Sequence, residues 1–258
     1  MEFVMPIDLN CDMGESFGLY RLGNDEALMP HITSANIACG FHAGDPLVMD
    51  ATVRLAARHG VGVGAHPGFL DLQGFGRRSM GLSADEVEAF VLYQVAALSG
   101  FARAAGIELA HVKPHGALYN MAAQDRAMAE AIARGVARFS RDLVLVGLAG
   151  SRLVAAGLEA GLRVAREAFA DRAYNVDGSL RSRRLPGAVL ESPDKAAAQA
   201  VRLARDGVVV AYSGKQVAVE ADTLCIHGDT PTALEIVRAV RRELAAAGVQ
   251  VAPMGSLV

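Results

Sequence analysis

The segment IDLNCDMGES, residues 7–16, places three carboxylates and one amide within ten positions. Side chains alternate between the two faces of a strand, so Asp8, Asn10 and Asp12 share one face while the apolar residues between them take the other. Carboxylates and amides in such a position can orient water, transfer protons or hold a divalent ion. The segment predicts a polar site, with Glu15, where the first strand leaves the core.

Ionisable residues recur at the ends of later predicted strands. They are His42, His66, His111, Lys113, His115, Glu167, Asp171, His227 and Asp229, and they include five of the seven histidines. A lone histidine near a strand is more often a hydrogen-bonded structural residue than a ligand or base. Burying so many ionisable groups without a task costs several kcal/mol. We therefore predict one functional site, in which a structural role stays open for the deeply placed His111.

These residues must be positioned by the elements that precede them. Short apolar runs alternate with Ala- and Leu-rich helical stretches, which is typical of α/β proteins. The predicted strands are Val4–Leu9, Ser34–Ala38, Val61–Ala65, Ala110–Lys113, Leu143–Leu148, Leu162–Glu167 and Leu224–His227, with Val208–Val219 as an added hairpin. Helix starts are predicted at Asp45-Pro46, at Ser83 with Glu86, and at Thr230-Pro231. A barrel would gather the charged groups at its carboxyl mouth, and a doubly wound open sheet is the alternative.

Composition excludes several classes of protein. With 258 residues, of which 52% are hydrophobic, the chain is long enough for a barrel, and we predict one domain over residues 1–258. A net charge of −3 without a dense basic run gives no attraction to nucleic acid or anionic membranes. No secretory signal or membrane-spanning stretch is predicted. Cys11, Cys39 and Cys225 lack CxxC spacing, which indicates free buried thiols and a soluble cytoplasmic protein.

Six segments resemble the LamB/YcsF family. They are IDLNCDMGESFG, ITSANIACGFHAGDP, VGVGAHPGFLDLQGFGRR, HVKPHGALYN, EAFADRAYNVDGSLRSRR and LCIHGDTPTA, and they run from the first strand to the last helix. The resemblance implies a seven-stranded β/α barrel of the glycoside hydrolase/deacetylase type. It also implies the A component of an ATP-dependent 5-oxoprolinase, which acts with subunits B and C. That enzyme opens the lactam 5-oxo-L-proline to L-glutamate while ATP is hydrolysed to ADP and phosphate.

The resemblance also marks site residues. It implies catalytic candidates at Asp8, Asn10, Asp12, Glu15, His42, His66, Lys113, His115, Glu167, His227 and Asp229, and substrate-binding candidates at Asp45 and Tyr119. Lys113 is suited to stabilising an oxyanion or a phosphate, and the histidines to moving protons. Asp45 has a plain N-cap role as its alternative. Arg183 and Arg184 are predicted to clamp a substrate carboxylate, with surface solvation as the alternative.

The sequence gives weaker signals for the sites of a metal ion and of ATP. Deacetylases of similar barrel type hold a metal with an aspartate after the first strand and histidines from later strands, which implies Asp12, His66 and His115 as ligands. The chain has no GxxxxGK[ST] loop for ATP, and the segment 68–81 with its two arginines is either a phosphate-binding loop or a plain connection. Two other functions remain open. They are a stand-alone metal-dependent amidohydrolase or deacetylase, and a non-catalytic lactam-binding subunit.

Overall fold

Seven parallel strands form a closed barrel in the order β1-β2-β3-β4-β5-β6-β9 in the computed structural model, which describes residues 5–258. The barrel strands are β1 (Asp8–Met13), β2 (Ser34–Ala38), β3 (Gly62–His66), β4 (Leu109–Val112), β5 (Val144–Leu148), β6 (Arg163–Phe169) and β9 (Thr223–Ile226). An antiparallel hairpin of β7 (Val208–Val210) and β8 (Gln216–Ala218) lies between β6 and β9 in the chain. The predicted seven-stranded barrel is therefore confirmed, and the open sheet is excluded.

Eight α-helices connect the strands within the described residues. They are α1 (Asp25–Leu28), α2 (Pro46–His59), α3 (Ala84–Ala104), α4 (Gly116–Ala122), α5 (Arg126–Phe139), α6 (Arg152–Glu159), α7 (Pro193–Asp206) and α8 (Ala233–Ala246). The predicted Asp45 cap and the capping box of Ser83 with Glu86 are both present. The predicted start at Thr230-Pro231 is wrong, because these residues form a turn and α8 begins at Ala233.

The first strand differs most from its prediction. It was expected over Val4–Leu9, of which Val4 lies outside the described residues, and it runs instead over Asp8–Met13. Asn10 and Asp12 therefore lie within the strand rather than beyond its end. Their side chains point into the barrel, where hydrogen bonds satisfy them and remove the cost of burial.

Apolar side chains fill two separate regions. The main core lies between the outer faces of the strands and the helices, and it includes Leu9, Ile37, Val63, Leu145 and Leu224. A small second cluster inside the barrel contains Val144, Val146, Ala165 and Met254. Met254 belongs to a short 3-10 turn, Met254–Ser256, that brings the end of the chain to the barrel. The amino end of the barrel is thus filled by side chains, and the carboxyl mouth carries the polar groups.

Two predictions made from the sequence concern the cysteines and membrane-spanning helices. Cys11, Cys39 and Cys225 are all buried and free, as predicted. Among residues 5–258, no helix has both the length and the apolar character needed to cross a bilayer.

Candidate active site

Asp8 lies at the amino end of the barrel. Its carboxylate accepts hydrogen bonds from the hydroxyls of Thr33, Ser34 and Thr223 at 2.8, 2.6 and 2.5 Å. The backbone N–H of Met254 donates to it at 3.1 Å. Burial raises the pKa of Asp8, and these hydrogen bonds only partly oppose the shift. The expectation that Asp8 shares the mouth with the other candidates is wrong, because β1 begins at this residue.

A buried lysine occupies the centre of the polar interior. Lys113 directly follows β4, and its Nζ lies 2.9 Å from Glu167 Oε1 and 3.0 Å from Asp12 Oδ1. It also donates to Asn10 Oδ1 at 3.2 Å and to Cys225 Sγ at 3.1 Å. Burial lowers the pKa of Lys113, but the charges of Asp12 and Glu167 hold it well above its usual value. The lysine is therefore a permanent cation inside the barrel.

Glu167 connects this cation to an aromatic hydroxyl. Tyr119 Oη donates to Glu167 Oε2 at 2.6 Å, and the Asn10 amide donates to Oε1 at 3.0 Å. Burial, together with the neighbouring carboxylate, raises the pKa of Tyr119 well above its usual value. Tyr119 was predicted to bind substrate, and in this arrangement its hydroxyl orients Glu167.

His111 fills the barrel interior beside this network. Its Nε2 lies 2.8 Å from Asn36 Oδ1, which is the accepting atom because the Asn36 amide nitrogen donates to Asn10 and Asp12. Gly64 makes the room, since a Cβ there would collide with the His111 ring. Burial lowers the pKa of His111 to about 3. The structural role that the sequence left open for His111 fits this environment.

Backbone carbonyl groups determine the tautomers of two histidines on the mouth side. His66 Nδ1 lies 2.6 Å from the carbonyl oxygen of Lys113, which can only accept, so this nitrogen carries a proton. His115 Nε2 lies 2.9 Å from the carbonyl oxygen of Phe75 and is protonated for the same reason. The remaining nitrogens, His66 Nε2 and His115 Nδ1, are 3.0 Å apart. Asp12 Oδ2 lies 3.3 Å from His66 Nε2.

His42 and Glu15 complete this side of the site. The His42 ring stacks on His115 with centroids 3.7 Å apart, and neither His42 nitrogen has a hydrogen-bond partner among the described residues. Glu15 Oε1 lies 3.7 Å from His42 Nε2 and 3.8 Å from His115 Nδ1. Burial lowers the pKa of both histidines well below the usual value. Burial and the charge of Asp12 raise the pKa of Glu15 well above its usual value.

One group of side chains here has the composition of a metal site. It offers one carboxylate and three imidazoles whose ligand atoms all lie within 4.8 Å of one another: Glu15, His42, His66 and His115. Such a group could hold a divalent metal. The predicted ligand set shared two of these histidines but included Asp12, whose Oδ1 accepts hydrogen bonds from Lys113 and Asn36.

Asp12 joins this group to a fourth histidine, His227. Burial raises the pKa of Asp12, but the neighbouring His66 and Lys113 hold it well below its usual value, so the carboxylate is ionised. Ligand atoms of Asp12, Cys225 and His227 lie within 4.8 Å of one another. Asp12 is therefore placed to accept a proton from either side of the site.

His227 is oriented by Asp171, which the sequence placed in the polar cluster but not among the catalytic candidates. Its Nδ1 lies 2.9 Å from both oxygens of Asp171, and its backbone N–H donates to Asp171 at 2.9 Å. Burial raises the pKa of Asp171, but His227 holds it below its usual value. The available signal was strand parity, because Glu167, Phe169 and Asp171 alternate along β6 and just beyond it.

Two acidic candidates at the rim already have partners. Asp229 accepts a hydrogen bond from Arg77 at 2.8 Å. Asp45 caps α2 and also accepts from the backbone N–H of Gly18 at 2.7 Å, and these backbone hydrogen bonds lower the pKa of Asp45. The N-cap alternative thus accounts for the contacts of Asp45 with α2, and Gly18 in the loop after β1 supplies its remaining hydrogen bond.

The four arginines of the predicted loop and clamp are in two different situations. Arg77 pairs with Asp229, as above, and Arg78 pairs with Asp71, so neither arginine of the segment 68–81 lacks an acidic partner. Arg183 and Arg184 are exposed. Arg183 adds to the lowering of the Asp171 pKa, after the larger effects of burial and His227. Of the two predicted clamp residues, Arg183 is therefore the one whose charge acts on the site.

The LamB/YcsF family model matches residues 7–258. The chain belongs to the LamB/YcsF family. The A component of the 5-oxoprolinase from Symbiobacterium thermophilum is 61% identical, over 98% of this chain and 97% of that protein. The crystal structure of a lactam utilization protein from Thermus thermophilus is 52% identical with a TM-score of 0.91, and covers 96% of this chain and 99% of that one. A T48 deacetylase, 15% identical with a TM-score of 0.51, covers 98% of this chain and 90% of its own and shows a similar fold.

In this member of the LamB/YcsF family, the polar mouth has three chemical parts. Lys113 supplies a fixed positive charge, His227 lies against the carboxylate of Asp171, and Asp12 supplies an ionised carboxylate. Groups of these types can take part in general acid–base chemistry.

Proposed function

We propose that this chain is the A component of an ATP-dependent 5-oxoprolinase. The reaction opens the lactam of 5-oxo-L-proline to L-glutamate and converts ATP to ADP and phosphate. The proposal is supported by the 61% identity, over 98% of this chain, to a protein named as the A component of a 5-oxoprolinase. The name of that relative marks it as one part of a complex, and we propose that the other parts are subunits B and C. The three free thiols fit a reducing, cytoplasmic setting.

In the proposed reaction, Asp12 and His227 handle protons. A lactam resists hydrolysis because its amide is resonance stabilised, so the nitrogen must receive a proton as the ring opens. His227 can deliver that proton from Nε2, since Asp171 holds Nδ1 and stabilises the imidazolium form. Asp12 is ionised and can accept a proton from the attacking water. Arg183 provides the positive charge that pairs with the carboxylate of the substrate.

Lys113 has a supporting role in this scheme. An ammonium has three N–H donors, and four acceptor atoms already lie within 3.2 Å of Nζ. No donor is left over for a substrate oxyanion in this arrangement. We assign to Lys113 the task of keeping Asp12 ionised and fixed in position, rather than the direct oxyanion contact that its residue type predicts.

ATP is the second substrate in the proposal. Phosphorylation of the amide oxygen by ATP would make the carbonyl carbon easier to attack. The arginines of the segment 68–81 are paired with Asp229 and Asp71, which leaves the partner subunits to supply the main phosphate contacts.

Reconstitution tests the proposal. Glutamate and ADP would be quantified after incubating 5-oxoproline with this chain alone, with subunits B and C alone, and with all three, each with and without ATP. We expect equal amounts of glutamate and ADP only from the complete mixture with ATP. Turnover by this chain alone without ATP would instead establish the stand-alone amidohydrolase. Full turnover by B and C without this chain would leave it a lactam-binding subunit.

A further inference from the structure

Two ring nitrogens of the site direct lone pairs at each other. His66 Nδ1 and His115 Nε2 each donate to a backbone carbonyl, so the opposite nitrogen of each neutral ring has only a lone pair. Those two nitrogens are 3.0 Å apart. Two lone pairs at this distance repel each other unless a proton or a metal ion lies between them.

The surroundings of His42 and Glu15 show whether a proton or a metal ion better explains the short distance between His66 and His115. A proton on His66 Nε2 would satisfy His115 and the adjacent Asp12. It would leave both nitrogens of the buried His42 without a partner, and Glu15 Oε1 beyond hydrogen-bond distance of His42 and His115, at 3.7 and 3.8 Å. A single cation can accept lone pairs from all four side chains at once. The unpartnered and buried His42 therefore favours the metal ion.

The hydrogen bonds behind the rings have the form found at metal sites. A histidine ligand usually donates its second N–H to a carboxylate or a backbone carbonyl, which fixes the tautomer and turns the free nitrogen toward the metal. His66 does so to the Lys113 carbonyl and His115 to the Phe75 carbonyl. The 3.0 Å between the two free nitrogens also lets both lie about 2.1 Å from one zinc-like ion.

Ligand chemistry selects the class of ion. Three imidazoles and one carboxylate suit zinc and other first-row divalent metals, whereas magnesium and calcium prefer oxygen ligands. The second cluster, formed by Asp12, Cys225 and His227, already contains a cation, because Lys113 Nζ lies 3.0 Å from Asp12 and 3.1 Å from Cys225. We propose that Glu15, His42, His66 and His115 bind one divalent transition-metal ion of the zinc class.

Metal binding can be measured without substrate, ATP or partner subunits. The full chain would be stripped with a chelator and titrated with Zn²⁺ by calorimetry, and bound metal would be counted by mass spectrometry. We expect one equivalent per chain, with affinity at least about tenfold weaker in Glu15→Gln and in His42→Asn. His59→Gln, at an exposed histidine on α2, is the matched control and should bind as the wild type does.

Three outcomes would overturn the proposal: no Zn²⁺ bound by the wild type, equal binding by the ligand variants, or loss of binding in His227→Gln. The last would move the site to the second cluster. If a ligand variant does not fold, X-ray absorption of the zinc-loaded wild type decides, since the proposed set gives three imidazoles and no sulfur. Failure of these measurements would leave the ATP-dependent reconstitution result unaffected.

Discussion

Asp12 contacts both the buried Lys113 and the histidine group of the site. Its Oδ1 accepts from Lys113 and Asn36, and its Oδ2 lies 3.3 Å from His66. A buried carboxylate stays ionised only when nearby cations and donors replace its water, and Lys113 is the permanent cation of this group. The charge balance of the whole site therefore depends on a lysine whose Nζ is surrounded by acceptor atoms of the protein.

Lys113→Met should lower the free energy of unfolding by about 3–5 kcal/mol, because Asp12 and Glu167 would lose their buried counter-ion. Activity of the complete enzyme should fall at least about a hundredfold, because Asp12 would no longer be held ionised as a proton acceptor. Adding Glu167→Gln should restore part of the stability but none of the activity. Urea denaturation and glutamate release measure the two quantities. Near-normal turnover by Lys113→Met would contradict the assigned role.

Asp171→Asn should reduce kcat of the reconstituted enzyme by about 10²–10⁴-fold with little change in KM, because the amide cannot hold His227 Nδ1–H or stabilise the imidazolium. The pH profile of kcat should shift as well, which a purely structural role would not produce. Asp177→Asn is the control, since that exposed carboxylate contacts only the nearby Ser179. Equal kcat values and pH profiles for the two variants would exclude the proton-carrier role of His227.

His111→Gln should make stability less sensitive to acid. The unfolded histidine takes up a proton near pH 6.5, whereas burial lowers the pKa of folded His111 to about 3. The stabilisation is complete above pH 6.5 and is lost as the pH falls toward 3, by about 1.4 kcal/mol per unit. Urea titrations from pH 7 to pH 4 should give a slope shallower by about one proton for the variant. An unchanged slope would mean that His111 is already charged in the folded protein.

At the scale of elements, the loop after β3 shapes the histidine pair. A Cβ on Gly68 would lie 2.6 Å from His42 Nδ1, and one on Gly76 would lie 2.7 Å from His42 Cβ and 2.9 Å from His115 Cδ2. Only glycine lets the backbone approach the stacked rings this closely. The sequence prediction treated this segment as a phosphate-binding loop or a plain connection, and the structure gives its glycines a packing role.

Gly76→Ala should destabilise the protein by at least about 1–2 kcal/mol, because Gly76 has φ +61° and its Cβ would collide with His42 Cβ and with the His115 ring. The variant should also weaken zinc binding by displacing His42. Gly81→Ala in the same loop is the control, since its Cβ would meet nothing within 4 Å, and it should change stability by less than about 0.5 kcal/mol. Thermal melts and zinc titrations of the two variants make the comparison. Equal stability would rule out the close approach at Gly76.

At the scale of the whole molecule, the two ends of the barrel have different contents. The carboxyl mouth holds the ionisable site, while the amino end is closed by Met254, by the small apolar cluster and by the hydrogen-bonded Asp8. The strands that begin at the amino end lead to the mouth, where Lys113 and His227 directly follow β4 and β9.

Met254→Ala should therefore cost about 2–5 kcal/mol of unfolding free energy, the usual range for emptying a buried methionine site. Met254 is 1% exposed, whereas Met5 is 67% exposed, so Met5→Ala should stay within about 0.5 kcal/mol of the wild type. Urea denaturation of both variants measures the difference. A loss below about 1 kcal/mol for Met254→Ala would mean that this residue does not close the barrel.

The sequence by itself determined the local features of this protein. Strand alternation put Asn10 and Asp12 on one face, and capping chemistry placed the starts of α2 and α3 at Asp45 and Ser83. These signals are readable because each depends on residues only two or three positions apart. The clustering of histidines at strand ends and the family resemblance then indicated one site on a barrel.

Only the tertiary structure decided which of these residues meet. Barrel closure put Asp8 at the far end, brought Glu15 beside His42, and set Asp171 behind His227. Such contacts join residues far apart in the chain, so they depend on strand register and loop path rather than on spacing. The histidine tautomers, too, follow from backbone carbonyls that only the folded chain brings within hydrogen-bond distance.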